Sequence, residues 1–338
     1  MPGILLETLK GRRTQRAPVW LMRQAGRYLP EYRELRAEKG GFLELVYDSE
    51  AAAEITVQPI RRFSFDGAIL FSDILIVPHA MGQGLQFLAG EGPRLSPTLI
   101  EATLDDFQPA PERFDPVYET VRRTRALIGE EVTMLGFAGS PWTVATYMVA
   151  GEGSKDQGPA RLLAYRDPGR MQAIIDRIAE LTITYLRGQI EAGAEAVQLF
   201  DSWAGSLAPD EFERWVIAPN AAITAAIRES HPDVPVIGFP KGAGAKLPAY
   251  ARETGVDAVG LDETLDPAWA HSVLPDDMPV QGNLDPLLLE AGGEALRPRI
   301  RAILATFEGR PHVFNLGHGI GQHTPIAHVE ELLEAVRS

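Results

Sequence analysis

Short apolar runs recur eight times along the chain, separated by longer stretches whose apolar residues fall at helical spacing. The runs are Val19–Gln24, Gly67–Asp73, Val132–Ala138, Ala196–Ser202, Val234–Pro240, Ala258–Asp262, Pro279–Leu284 and His312–His318. Helices are predicted over Glu50–Ile60 behind a Ser49 cap, Pro116–Ile128 behind Asp115, and Pro168–Ala192. Further helices fall at Pro209–Ser230, interrupted near Pro219, and at Leu284–Leu289, Ala295–Phe307 and Thr324–Arg337. Strands alternating with helices build parallel βαβ units. Eight such units predict an α/β fold, a single (β/α)8 TIM barrel with extended βα loops, in one domain spanning 1–338. The later intervals between runs are compact; the first three are long and must carry added loops. In the second of these, Gly84–Leu88 and Pro93–Ser96 flank Ala89-Gly90-Glu91-Gly92, the pattern of a hairpin over the barrel mouth. Gly151-Glu152-Gly153-Ser154-Lys155 reads as a flexible loop able to serve as a lid.

A barrel of this type carries its active site at the C-terminal strand ends. Nearly every run ends in a reactive side chain: Arg23 with Arg27, Asp73, the segment Ser140 to Tyr147, Asp201 with Ser202, Lys241, Asp262, Asn283 and His318. Each has a bland alternative. Asp73 can cap the next helix, Tyr147 can be a core tyrosine, Ser202 can be a cap, and His318 can be a satisfied core histidine. Arg23 and Arg27 are harder to explain away, because they straddle the end of the apolar segment Val19-Trp20-Leu21-Met22, where a charge needs a partner. Guanidinium forks suit carboxylates and phosphates. The glycines around His318 leave its ring uncrowded. Lys241-Gly242-Ala243-Gly244-Ala245-Lys246 is a weak candidate for an anion loop, and Lys241 alone is a formal candidate for Schiff-base chemistry.

Composition narrows the chemistry. Net charge is −14, which argues against nucleic acid or an anionic membrane as partner. Yet Lys10 to Arg36 holds eight basic residues against two acidic ones, a local reversal around the arginine pair. The chain has no cysteine, which removes thiolate zinc sites, Fe–S ligation and cysteine nucleophiles. His318 and His323 with Asp201 or Asp262 lack any metal-ligand spacing, and no dinucleotide or P-loop motif occurs, so no metal or cofactor is expected. No apolar run approaches membrane-spanning length, and the first residues lack a signal-peptide pattern, so a cytoplasmic location is expected.

Pro18-Val19-Trp20-Leu21-Met22-Arg23-Gln24-Ala25-Gly26-Arg27-Tyr28-Leu29-Pro30-Glu31-Tyr32-Arg33 resembles the signature of the uroporphyrinogen decarboxylases. Phe71-Ser72-Asp73-Ile74-Leu75, Gly136–Thr143 with Tyr147, and Asn315-Leu316-Gly317-His318-Gly319 follow in the family's order. The resemblance implies a (β/α)8 barrel, a homodimer and no cofactor. It also implies an activity, the removal of four CO2 from the acetates of uroporphyrinogen III to give coproporphyrinogen III in haem biosynthesis. By the family pattern Asp73 binds pyrrole N–H groups and stabilises a transient cation. Arg23 and Arg27 hold carboxylates, one of them mediating protonation; Gln24, Ala25 and Gly26 form the loop between them; Tyr147, Ser202 and His318 contact substrate. The segments around His79 and His323 depart from the usual pattern. Two other functions stand beside this one: a cobalamin-linked methyltransferase, disfavoured by the absent thiolates, and a silent tetrapyrrole-binding protein, disfavoured by Asp73.

Overall fold

The parallel sheet follows from seven of the eight apolar runs. In a computed structural model describing residues 3–88 and 92–338, they form β1 (Gly67–Ile69), β4 (Thr133–Gly139), β5 (Ala196–Asp201), β6 (Val236–Pro240), β7 (Ala258–Gly260), β8 (Val280–Gln281) and β9 (His312–Val313). The strands lie side by side in chain order, each parallel to the next. The remaining strands, β2 (Gly84–Leu88) and β3 (Gly92–Ser96), pair antiparallel as the expected hairpin, whose turn at 89–91 lies outside the described residues.

The first run departs from expectation. Only its start behaves as a strand: Val19 bridges Phe314 in parallel, Phe314 N–H donates to Pro18 O (2.8 Å), and Asp66 N–H donates to Val19 O (2.9 Å). Pro18–Val19 thus joins the β9 edge to the β1 edge and closes the curled sheet into a barrel. Beyond it the chain turns. Gln24 N–H bonds Leu21 O, its side-chain oxygen accepts from Leu21 N–H, and its amide nitrogen donates to Gly67 O. A buried turn and a buried strand are equally apolar, so the run's composition does not separate them.

The helices follow the amphipathic pattern with local corrections. Asp48, not Ser49, caps the helix Ser49–Phe63 by accepting from Glu50 and Ala51 N–H. Ser140 precedes Pro141 at the start of Pro141–Ala150, but its hydroxyl donates to Asn220 Oδ1 instead of capping. The expected break near Pro219 is a wide π-type turn, Glu213–Ile217, between Pro209–Phe212 and Ala218–Ser230. Proline has no N–H and its ring clashes with the carbonyl four residues back, which widens the turn before it.

The barrel interior is layered. Gln198 and Phe200 share a face of β5, two residues apart. At the lower level Trp20 Nε1–H donates to Gln281 Oε1 (3.0 Å), and Gln281 Nε2–H donates to Gln198 Oε1 (3.1 Å). This fully buried polar chain ties the closing segment to β8 and β5. The upper level is aromatic and faces the rim where all the parallel strands end.

Candidate active site

Asp73 follows β1 on that rim. One carboxylate oxygen accepts from Leu75 N–H (2.8 Å), the contact a local cap would make. The other has no hydrogen-bond partner among the described residues. The side chain is only partly covered, yet surrounding protein desolvates it enough to push its pKa up to about 6, against the opposing pull of the Leu75 N–H and of Arg23. An accessible but desolvated carboxylate belongs at the floor of a cleft.

Arg23 stands on the turn after Val19. Its backbone is left-handed, φ +61°, a strained conformation for a non-glycine residue. Neither Arg23 nor Arg27 has an ion pair or side-chain hydrogen bond with a described residue, and both are exposed. Arg23 acts electrostatically on Asp73, Tyr147 and His318 alike; Arg27 acts on none of the three. A Cβ placed on Gly319 would lie 2.4 Å from Arg23 Cδ, so this glycine makes room for the arginine stem.

Tyr147 lies two turns into Pro141–Ala150, its ring 6.5 Å from that of Trp203. Burial raises its pKa, with a Trp203 hydrogen bond opposing. Gly153 of the candidate lid passes over this ring: its Cβ would lie 3.6 Å from the tyrosine. Burial, followed by the charges of Arg23 and Lys241, lowers the His318 pKa to about 4, so the ring is neutral at pH 7. Ser202 is partly exposed, and its hydroxyl has no hydrogen bond with a described residue. The structure therefore gathers Arg23, Asp73, Tyr147 and His318 around one mouth, with the partly exposed Ser202 next to Trp203 beside it, and leaves Arg27 exposed without a hydrogen bond or ion pair to these groups.

Other candidates are already engaged. The Gln24 side chain is fully buried and both ends of its amide are bonded, so any contact with a ligand falls to its backbone carbonyl; Ala25 and Gly26 complete the turn. Asp201 is buried with Oδ1 accepting from Thr143 Oγ1 (2.5 Å), and burial pushes its pKa up to about 7. Thr143 in turn accepts from Trp203 N–H, so this pair shapes the turn bearing Ser202. Asp262 accepts from Gly242 N–H (2.8 Å) and from the Thr264 N–H and hydroxyl. Asn283 Nδ2–H donates to the carbonyls of Asp262 and Leu265. The glycine segment after β6 packs its Gly242 against Gly205 and donates the Gly242 N–H to Asp262, so that backbone N–H is already engaged. Among the described residues no group of three metal-ligating side chains converges.

The sequence reading missed a row of aromatics inside the barrel, of which Phe137 and Phe239 are buried and Phe200 is partly exposed. Phe137 and Phe200 centroids lie 5.6 Å apart, Phe200 and Phe239 6.0 Å, and Phe239 and His318 6.4 Å. Phe200 and Phe239 pair in register near the ends of β5 and β6. Two surface hollows of about 310 and 440 Å³ lie elsewhere, and no candidate residue lines either.

A parallel (β/α) barrel whose rim carries a desolvated carboxylate, and two arginines without partners among the described residues, is the architecture of a barrel enzyme. Comparison with known proteins agrees. The family model described as "Uroporphyrinogen decarboxylase (URO-D)" matches residues 3–338, and the chain belongs to that family. It is 72% identical over 338 residues to the uroporphyrinogen decarboxylase of Erythrobacter litoralis, covering 100% of this chain and 99% of that one. It is 70% identical over 337 residues to that of Novosphingobium aromaticivorans, covering 100% and 99%. Among solved structures, a methyltransferase from Methanosarcina mazei superposes with a TM-score of 0.81 at 19% identity, over 99% of this chain and 97% of that one. At that identity the likeness concerns the fold alone.

Proposed function

We propose that the chain removes the four acetate carboxyls of uroporphyrinogen III, giving coproporphyrinogen III and four CO2. The observation that carries the reading is Asp73, a desolvated carboxylate with a free oxygen, beside the unpaired Arg23, in a chain 72% identical to a uroporphyrinogen decarboxylase.

Decarboxylation needs somewhere for the C–C bond electrons to go. Protonation of a pyrrole α-carbon makes the ring a cationic sink. The bond to the carboxylate then breaks, its electron pair enters the ring, and CO2 leaves. The exocyclic methylene takes a proton and the α-carbon loses one. Each cycle converts CH2COO⁻ plus one proton into CH3 plus CO2. Asp73 accepts the pyrrole N–H groups and faces the ring while it is cationic. In a low-dielectric cleft that counter-charge acts mainly on the transition state. Arg23 and Arg27 hold substrate carboxylates, and one of them mediates proton delivery. Tyr147, Ser202 and His318 contact the macrocycle, and the neutral His318 ring can exchange hydrogen bonds without adding charge. Because the substrate provides its own electron sink, this reading includes no cofactor. It further takes the chain as one domain, working as a homodimer in the cytoplasm.

The test is anaerobic incubation of purified, chelator-treated protein with uroporphyrinogen III. The reading expects coproporphyrinogen III and four CO2 per substrate. No product, or turnover restored only by one added metal, contradicts it.

A further inference from the structure

Lys241 and Glu263 have no place in the mechanism above, yet both lie on the same rim. Lys241 follows β6 and Glu263 follows β7 by three residues. Asp262 clips the two ends together through Gly242 N–H, which brings the side chains alongside each other. Lys241 Nζ then lies 3.5 Å from Glu263 Oε1, and both side chains are partly exposed, 30% and 22%. The pair is incompletely satisfied: Glu263 Oε2 is buried with no hydrogen-bond partner among the described residues. It also borders the cleft. The Lys241 charge is felt at His318, and Glu263 packs its backbone on Gly317, where a Cβ would lie 2.1 Å from Glu263 N.

The proposed substrate brings eight carboxylates, and Arg23 and Arg27 are two cations. A third cation at the rim, held by a loose contact to a carboxylate, is chemically suited to exchange partners. We propose that Lys241 is a third carboxylate-binding residue, which leaves Glu263 for a substrate carboxylate, and that Glu263 competes with substrate for it. This assignment rests on the polycarboxylate reading of the site.

The two partners must then move substrate affinity in opposite directions. Lys241→Met removes a charge-assisted contact and raises KM about tenfold or more. Lys241→Arg keeps the charge and stays within a few-fold of wild type. Glu263→Gln keeps the shape, removes the competitor and lowers KM about two- to fivefold, the range of a partly exposed ion pair. A merely structural clip predicts instead that both variants lower Tm together and leave KM where it was. Steady-state kinetics with uroporphyrinogen III and melting curves for all four proteins decide. Shifts of KM in opposite directions support the exchange; an unchanged or raised KM in Glu263→Gln overturns it, even where Lys241→Met fails to fold. Absence of turnover in the wild-type protein instead overturns the polycarboxylate reading, and this assignment with it.

Discussion

At the scale of single residues, the site works by withholding partners. Among the described residues nothing pairs with the Arg23 or Arg27 fork or with one Asp73 oxygen, while the surroundings of Asp73 make its charge costly. The pH dependence follows. With a free-enzyme pKa of about 6, Asp73 loses its charge as pH falls, so kcat/KM should drop with unit slope below about pH 6. His318, lowered to about 4, is neutral throughout pH 5–8 and should add no limb there. A pH–rate profile checks both, and a basic-side limb that vanishes in His318→Gln would contradict the assignment of a neutral ring. Gly319 gives a second check. Alanine there drives a methyl to 2.4 Å from Arg23 Cδ, and a flexible stem yields before a backbone does. Gly319→Ala should therefore resemble Arg23→Ala, each raising KM about tenfold, the loss of one charge-assisted contact. Its melting temperature should fall by no more than about 2 °C.

At the scale of elements, the turn after Val19 is the hinge of the account. It closes the barrel with two backbone bonds, then uses the Gln24 side chain to hold the strained Arg23 outward. The sequence placed Arg23 and Arg27 about the end of an apolar run, but did not show that a turn, not a strand, carries them, because both are apolar and buried. The same blindness hid the row of Phe137, Phe200 and Phe239: a large aromatic in a strand reads as core, and only register brings the partly exposed Phe200 between the two buried rings. Asp262 failed the other way. It looked reactive from its position and proved to be a clip, since its backbone partner lies on the neighbouring strand end. The rim positions of Asp73 and His318 were legible from the apolar runs they end, whereas Tyr147, two turns into a helix, was assigned to the site only by the family resemblance. Below that rim, Trp20 is bonded to Gln281 across the closure. Trp20→Phe leaves Gln281 Oε1 buried without its donor and should lower the unfolding free energy by about 1–3 kcal/mol. Urea denaturation measures this, and an unchanged midpoint would contradict the role given to the closing segment.

At the scale of the whole molecule, a chain of net charge −14 sets the cationic Arg23 beside a carboxylate that burial disfavours. The consequence for stability has a definite sign. The folded-state pKa of Asp73, about 6, lies above its ordinary value of 3.8, so folding binds this proton more tightly. Stability falls as pH rises through that window, and above it the ionised group costs up to about 3 kcal/mol, less where solvent reaches the partly exposed side chain. Asp73→Asn removes the cost and still accepts from Leu75 N–H. The decisive measurement is kcat together with Tm for Asp73→Asn and wild type, at pH 8 and pH 4. The account predicts kcat at pH 8 lower by about 10²–10³-fold. It also predicts a Tm at pH 8 equal to or above wild type, with that difference gone at pH 4. Near-normal kcat, the outcome expected if Asp73 merely caps its helix, would contradict the central claim.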